Sequence, residues 1–176
     1  MTFTSTDIPG AFLIDPVRIE DHRGFFARTW CDREAKDHGI TTRWEQCSIS
    51  YNKRKGTLRG LHFAAHPQEE AKLVRCTMGA IFDVIVDLRP DSASFKRHVS
   101  VTLSGENRRL LYIPEGCAHG FQTLDDHTEV FYQISRFYVP EAARGVRWDD
   151  PAFGIVWPDA ERIILERDRT YPNFAG

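Results

Sequence analysis

The chain has 176 residues, 41% of them hydrophobic and 27% charged, which is enough for one domain with a substantial core and too few for two ordinary ones. A formal net charge of −2 excludes a global attraction to nucleic acid or to an anionic membrane, so any anion site must be local. The four cysteines, Cys31, Cys47, Cys76 and Cys117, stand far apart with no C-x-x-C pair; this fits neither a zinc framework nor a disulfide scaffold and agrees with reduced thiols in a cytoplasmic protein.

The first stretch, "MTFTSTDIPGAFLIDP", lacks a basic region followed by a long apolar run, and no later segment approaches a membrane span in length, so a soluble, unsecreted protein is expected. "DHRGFF" reads as a turn followed by aromatic residues. "CDREAKDHG" predicts a short helix capped by Asp32 and stopped by Gly39. "GTLRGLHFAAHPQEEAKLVR" reads as sheet yet collects Arg59, His62, His66 and Lys72, so it is either a solvated edge or the lining of an anion site. In "AIFDVIVDL", Phe82, Val84, Val86 and Leu88 share one strand face, and Ile81, Asp83, Ile85 and Asp87 share the other. "HVSVTL", "RRLLYI" and "TEVFYQISRFYV" are further strands, punctuated by turns at "RPDS", "SGEN", "PEG" and "LDDH". "PDAERIIL" is a second helix candidate, and the chain from Pro140 onward is expected to wrap the sheet.

Many short strands with polar turns and no internal repeat predict one antiparallel sandwich or barrel spanning residues 1–176. In "PEGCAHGF", Pro114-x-Gly116-x-x-His119 places a turn and then a histidine at a strand start; with Gly56-x5-His62 and Gly79 it resembles the paired signature of cupin barrels. A metal cupin needs two histidines one residue apart and a nearby glutamate. Here Phe63 separates His62 from Ala64, and the spacing of His66 and Glu70 does not follow strand parity, so no resident metal is expected. A metal-free mouth holding His62, Lys72, His119 and tyrosines suggests proton chemistry: an imidazole base steadied by a carboxylate, an ammonium where an enolate oxygen develops, and a phenol returning the proton. Each residue also has a plain structural reading. A histidine or lysine on a half-exposed strand is commonly solvated, Tyr132 and Tyr138 share the strand parity of Val130 and Ile134, and "RWDDP" is a tight turn packed by Trp148.

Taken together, "DHRGFF", "GTLRGLHF", "KLVR", "DVIVDLR", "YIPEGCAHGF", "EVFYQ", "YVPE" and "RGVRWDDPAFGIVWP" occur in an order and spacing that closely resemble the dTDP-4-dehydrorhamnose 3,5-epimerase family, from about Ile14 to Asp168. The resemblance implies an all-β, cupin-like double-stranded β-helix with short peripheral helices, forming a homodimer. It implies no cofactor, and a nucleotide-diphosphate-linked 4-keto-6-deoxyhexose as partner. The implied reaction removes the proton at C3 or C5, passes through an enolate and reprotonates from the other face. By the same resemblance His62 is the general base, with Asp168 as its partner and Glu166 two residues away as the alternative. Lys72 stabilises the enolate, His119 lies near the sugar, Tyr132 is the general acid and Tyr138 shapes the pocket. Arg23 and Arg59 hold the diphosphate, Phe26 stacks on the base and Gln46 contacts it.

Three positions depart from the family pattern: Arg28 replaces a glutamate, Ser48 an asparagine, and Ala143 a glutamate. The proton-transfer set is kept while the base-recognition set is altered, so a CDP- or GDP-linked keto sugar is an alternative to the dTDP form. The sequence also leaves open whether C3, C5 or both are inverted and which deoxysugar pathway the enzyme serves. A metal-dependent cupin enzyme and a catalytically silent sugar-nucleotide binding module are the readings from other classes.

Overall fold

The structure is a computed structural model and describes residues 1–40 and 43–175. In chain order the elements are β1 (Thr2–Ser5), β2 (Phe12–Asp15), β3 (Arg18–Asp21), β4 (Gly24–Ala27), α1 (Asp32–Asp37), β5 (Gln46–Asn52), β6 (Thr57–Ala64) and β7 (Lys72–Met78). There follow β8 (Ala80–Asp87), β9 (His98–Ser104), β10 (Leu110–Ile113), β11 (Cys117–Thr123), β12 (Thr128–Ile134), β13 (Ala143–Gly145), β14 (Ile163–Ile164) and α2 (Glu166–Arg169). One sheet runs β1-β2-β10-β7-β12-β5 and the other β13-β6-β11-β8-β9, with β14 beside β6 and β3-β4 forming a separate hairpin. This is the expected cupin-like jelly roll.

Strand parity builds it in layers. Inward-facing Ile81 and Ile85 of β8 join Val74 and Cys76 of β7, Leu111 and Ile113 of β10, Phe121 of β11 and Val130 of β12 in the apolar core between the sheets. The opposite parity of β8, Val84 and Val86, packs with Leu58, Leu61, Val146, Phe153 and Trp157, so the chain after Pro140 does cover the outer face of the second sheet. The outer face of the first sheet, with Ile14, Leu73 and Leu110, is covered by Ala35 of α1 together with Trp30 and Trp44. Fully burying each such aliphatic side chain contributes about 1.5–3 kcal/mol, which is what makes the alternation in "AIFDVIVDL" decisive for register.

Parity slips between β12 and β7 at Glu129–Val130 and again, at a place that matters, between β6 and β11. Between β6 and β11, His119 lies opposite His62 but Phe121 opposite Arg59, so β6 spends one more residue than its partner. The extra residue is Gly60, at φ +126°, where a Cβ would come within 2.5 Å of the Gly120 backbone. A bulge re-aims side chains by one position. As a result Arg59 and His62, three residues apart, face the same interior space.

Three local expectations are corrected. Cys31, not Asp32, is the N-cap residue of α1, without a side-chain cap bond, and Asp32 lies inside the first turn. "PDAERIIL" is not helical: the Ile163 N–H bonds to the Gly56 carbonyl at 3.0 Å and β14 pairs in parallel with β6, leaving only the single turn of α2 beyond it. The strand expected over "TEVFYQISRFYV" ends at Ile134, where its neighbours also begin or end, Gln46 on one side and Lys72 on the other. Ser135 then turns the chain away by exchanging hydrogen bonds with Ala71. Tyr138 therefore sits in a loop and not on the strand parity of Tyr132.

Candidate active site

The open end of the roll holds two connected cavities. The inner one, about 280 Å³, is lined by Arg59 and His62 of β6, Lys72 of β7, His119 of β11, Tyr132 of β12 and Ser48 and Ser50 of β5, with Glu70. The outer one, about 160 Å³, shares His62, Glu70 and Lys72 with it and adds Tyr138, Ala143, Arg144, Arg167 and Tyr171. Five of the ten residues singled out in the sequence thus line one space, and a sixth, Asp168, stands directly behind His62.

His62 Nε2 lies 2.8 Å from Asp168 Oδ1, and Asp168 Oδ2 accepts the Gly60 N–H at 3.1 Å. The bulge residue therefore anchors the carboxylate that holds the His62 imidazole. Asp168 is 1% exposed and is the acid in contact with His62, whereas Glu166 is exposed. Burial by itself would push the Asp168 carboxyl up, but the bonds from His62, Gly60 and Arg167 outweigh it and hold the group below the usual carboxylate range. Asp168 is thus an anion at neutral pH, fit to fix the imidazole tautomer and to steady the imidazolium. Arg167 donates from Nε to Asp168 Oδ1 at 3.2 Å.

The buried Lys72 ammonium is 3.1 Å from Glu70 Oε1. His119 Nε2 lies 2.8 Å from Oδ1 of the fully buried Asp83. Burial, followed by the charge of Asp83, pushes the Tyr132 phenol far up, against the pull of Arg59 and Ser50. Arg59 Nε donates to Asn52 Oδ1 at 2.8 Å, which leaves the remaining guanidinium donors of a planar fork facing the cavity.

The other expected residues lie apart from this space. Arg23, on the β3–β4 turn, is exposed and paired with Asp21 at 2.6 Å, and Phe26 of β4 is 71% exposed; neither lines the two cavities. Gln46 uses its Oε1 to accept the Tyr138 N–H at 2.6 Å, pinning the loop that carries Tyr138 over the outer cavity. Of the three departures, Arg28 pairs with Glu34 of α1 at 3.1 Å and so faces away, while Ser48 and Ala143 line the inner and outer cavities. His66 is exposed and bonds Glu69, well outside the site. Asp83, Glu70 and Arg167 were not singled out for proton chemistry. The available signal was an aspartate set between Ile81 and Ile85 on one strand face.

A cupin-like jelly roll whose mouth gathers a carboxylate-steadied imidazole, a buried ammonium and a half-buried phenol defines a proton-transfer enzyme. The model of the dTDP-4-dehydrorhamnose 3,5-epimerase family matches residues 5–176, and the chain belongs to that family. It is 41% identical to the dTDP-4-dehydrorhamnose 3,5-epimerase of Sinorhizobium fredii, over 98% of this chain and 89% of that protein. The crystal structure of the Bacillus anthracis enzyme with TDP and PPi bound superposes with a TM-score of 0.95 at 39% identity, over 98% of this chain and 99% of that one. The Legionella pneumophila epimerase in complex with dTDP-4-keto-L-rhamnose gives 0.89 at 37% identity, over 95% and 89%.

Proposed function

We propose that the protein epimerises a dTDP-linked 4-keto-6-deoxyhexose, converting dTDP-4-dehydro-6-deoxyglucose to dTDP-4-dehydrorhamnose. The observation that carries this reading is the His62–Asp168 pair facing the same cavity as Lys72 and Tyr132, in a chain belonging to a family of that activity. His62, oriented by Asp168, takes the proton next to the C4 ketone. Lys72 stabilises the oxygen of the resulting enolate. Tyr132, whose proton is firmly held, delivers it to the opposite face; the O–H bond breaks as the C–H bond forms. His119 contacts the sugar, and Tyr138 closes the outer cavity.

Arg59 holds the diphosphate with Arg23, while Phe26 stacks on the base and Gln46 contacts it. Because Arg23 and Phe26 stand on an exposed hairpin away from the cavities, their roles go with a homodimer. The exposed apolar residues Ile19 and Phe26 of the hairpin, and Ile49 on the edge strand β5, support one. We read residues 1–176 as a single cupin-like unit acting in the cytoplasm; no helix among the described residues is long and apolar enough to cross a membrane.

Incubation with 4-keto-6-deoxyglucose linked to dTDP, CDP or GDP, with the products resolved by NMR, tests the assignment. Turnover of the dTDP sugar with inversion at both carbons is expected. Turnover confined to the CDP or GDP sugar would transfer the reading to that nucleotide and attribute the change to Ser48 and Ala143.

A further inference from the structure

Asp83 occupies an inward position of β8 between Ile81 and Ile85, where strand parity calls for an aliphatic side chain. It is fully buried, its Oδ1 lies against His119 Nε2 at 2.8 Å, and its Oδ2 has no hydrogen-bond partner among the described residues. A buried carboxyl with one oxygen unanswered is costly, and nothing in the packing of the core requires it. Its surroundings point to a use. His119 stands opposite His62 in the β6–β11 ladder, and its ring meets that of Tyr132 edge-on at 6.0 Å between centroids. The charged and titratable groups facing this cluster are Lys72 and Cys76 from β7, Arg59 from β6 and Tyr132 from β12. Glu70 answers Lys72, and Asp168 answers His62.

We propose that Asp83 is a positioning residue for proton delivery: it fixes His119 through Nε2 and keeps Tyr132 loaded with its proton. Arg59 brings positive charge to the cavity, and by itself it favours the phenolate. A phenolate has no proton to give. Burial pushes the Asp83 carboxyl up while His119 and Lys72 draw it down; as the anion held by His119 Nε2, Asp83 opposes the pull of Arg59, so the phenol is protonated when the enolate forms and regains a proton after delivery. The inference rests on Tyr132 being the proton donor, and it deepens that reading by naming what governs the donor.

The first test is an ultraviolet titration of the Tyr132 phenol, taken as the difference from Tyr132→Phe, in the wild-type background and with Asp83→Asn. The substitution keeps the volume and one acceptor while removing the charge. It should lower the pH at which Tyr132 ionises by about one unit or more; an unchanged titration overturns the proposal. A second measurement needs no substitution. The ring nitrogens of His119 in the wild-type protein should show the proton on Nε2, and a proton on Nδ1 alone overturns the proposal. Neither readout depends on substrate, so both stand apart from the proposed activity. In turnover, Asp83→Asn should lower kcat at least about tenfold and leave KM within about threefold; an unchanged kcat, or a loss confined to KM, would count against the role.

Discussion

At the scale of single residues, the site depends on side chains far apart in the chain. His62 and its partner Asp168 are 106 residues apart in sequence. Asp168→Asn keeps the shape but removes the charge that steadies the imidazolium and fixes its tautomer, so kcat should fall between about 10²- and 10⁴-fold. The same variant reports on stability. The Asp168 carboxyl is depressed in the fold by the bonds that outweigh burial, so its contribution is present above the unfolded carboxylate pKa of about 4 and is lost as pH falls through the folded value. The denaturation-midpoint advantage of wild type over Asp168→Asn should therefore be constant above about pH 5 and shrink below about pH 4. A gap that widens on acidification would contradict this sign. His62, Lys72, His119 and Tyr132 were singled out in the sequence as a cluster of protonatable groups on strands and line one cavity in the structure, while their separate roles came through family resemblance. The partnership of Asp168 was legible only through family resemblance, since the tail reaches the cavity by a path that no periodicity announces. Asp83 was legible only as an acid sharing a strand face with Ile81 and Ile85; that this face points inward, and its tie to His119, depend on how the sheets pack and how β8 and β11 align.

At the scale of elements, the β6–β11 crossing positions the chemistry. Gly60 and Gly120 face each other where a methyl group on either would meet backbone at 2.5–2.7 Å. Gly60→Ala must push the strands apart at a residue with positive φ, costing about 1–3 kcal/mol or more. It should also displace the N–H that holds Asp168, so activity should fall further than stability alone explains. Chemical denaturation together with kcat on the folded fraction checks both parts; a variant of wild-type stability would show that the crossing tolerates a Cβ. The alternation of the strands was readable because each of these sheets buries one face under the core and the other under peripheral chain. The helix expected over "PDAERIIL" failed because a tertiary partner overrode local preference: the free edge of β6 offered hydrogen bonds to Ile163. The bulge at Gly60 could not be read, because a glycine in a strand marks a bulge without saying which neighbour absorbs it.

At the scale of the whole molecule, three apolar layers fix the two sheets and their covers, and the exposed hairpin and the β5 edge are the surfaces on which the proposed homodimer rests. Phe26→Ser should weaken a homodimer about tenfold or more, measured by sedimentation across a concentration series; a wild-type monomer at every concentration would rule out the dimer. The overall architecture was the most legible feature, because turn spacing and strand parity repeat along the whole chain, whereas an assembly depends on surfaces that a single chain's pattern does not pair. The central claim is that His62 removes a proton from the carbon beside the ketone. The most direct test follows the C3 and C5 proton signals of dTDP-4-dehydro-6-deoxyglucose by NMR in deuterated water, with wild type and with a folded His62→Asn variant. Deuterium entering both positions with wild type, and neither with the variant, is the predicted result. Exchange that survives in His62→Asn at wild-type rate would remove His62 as the base and, with it, the mechanism.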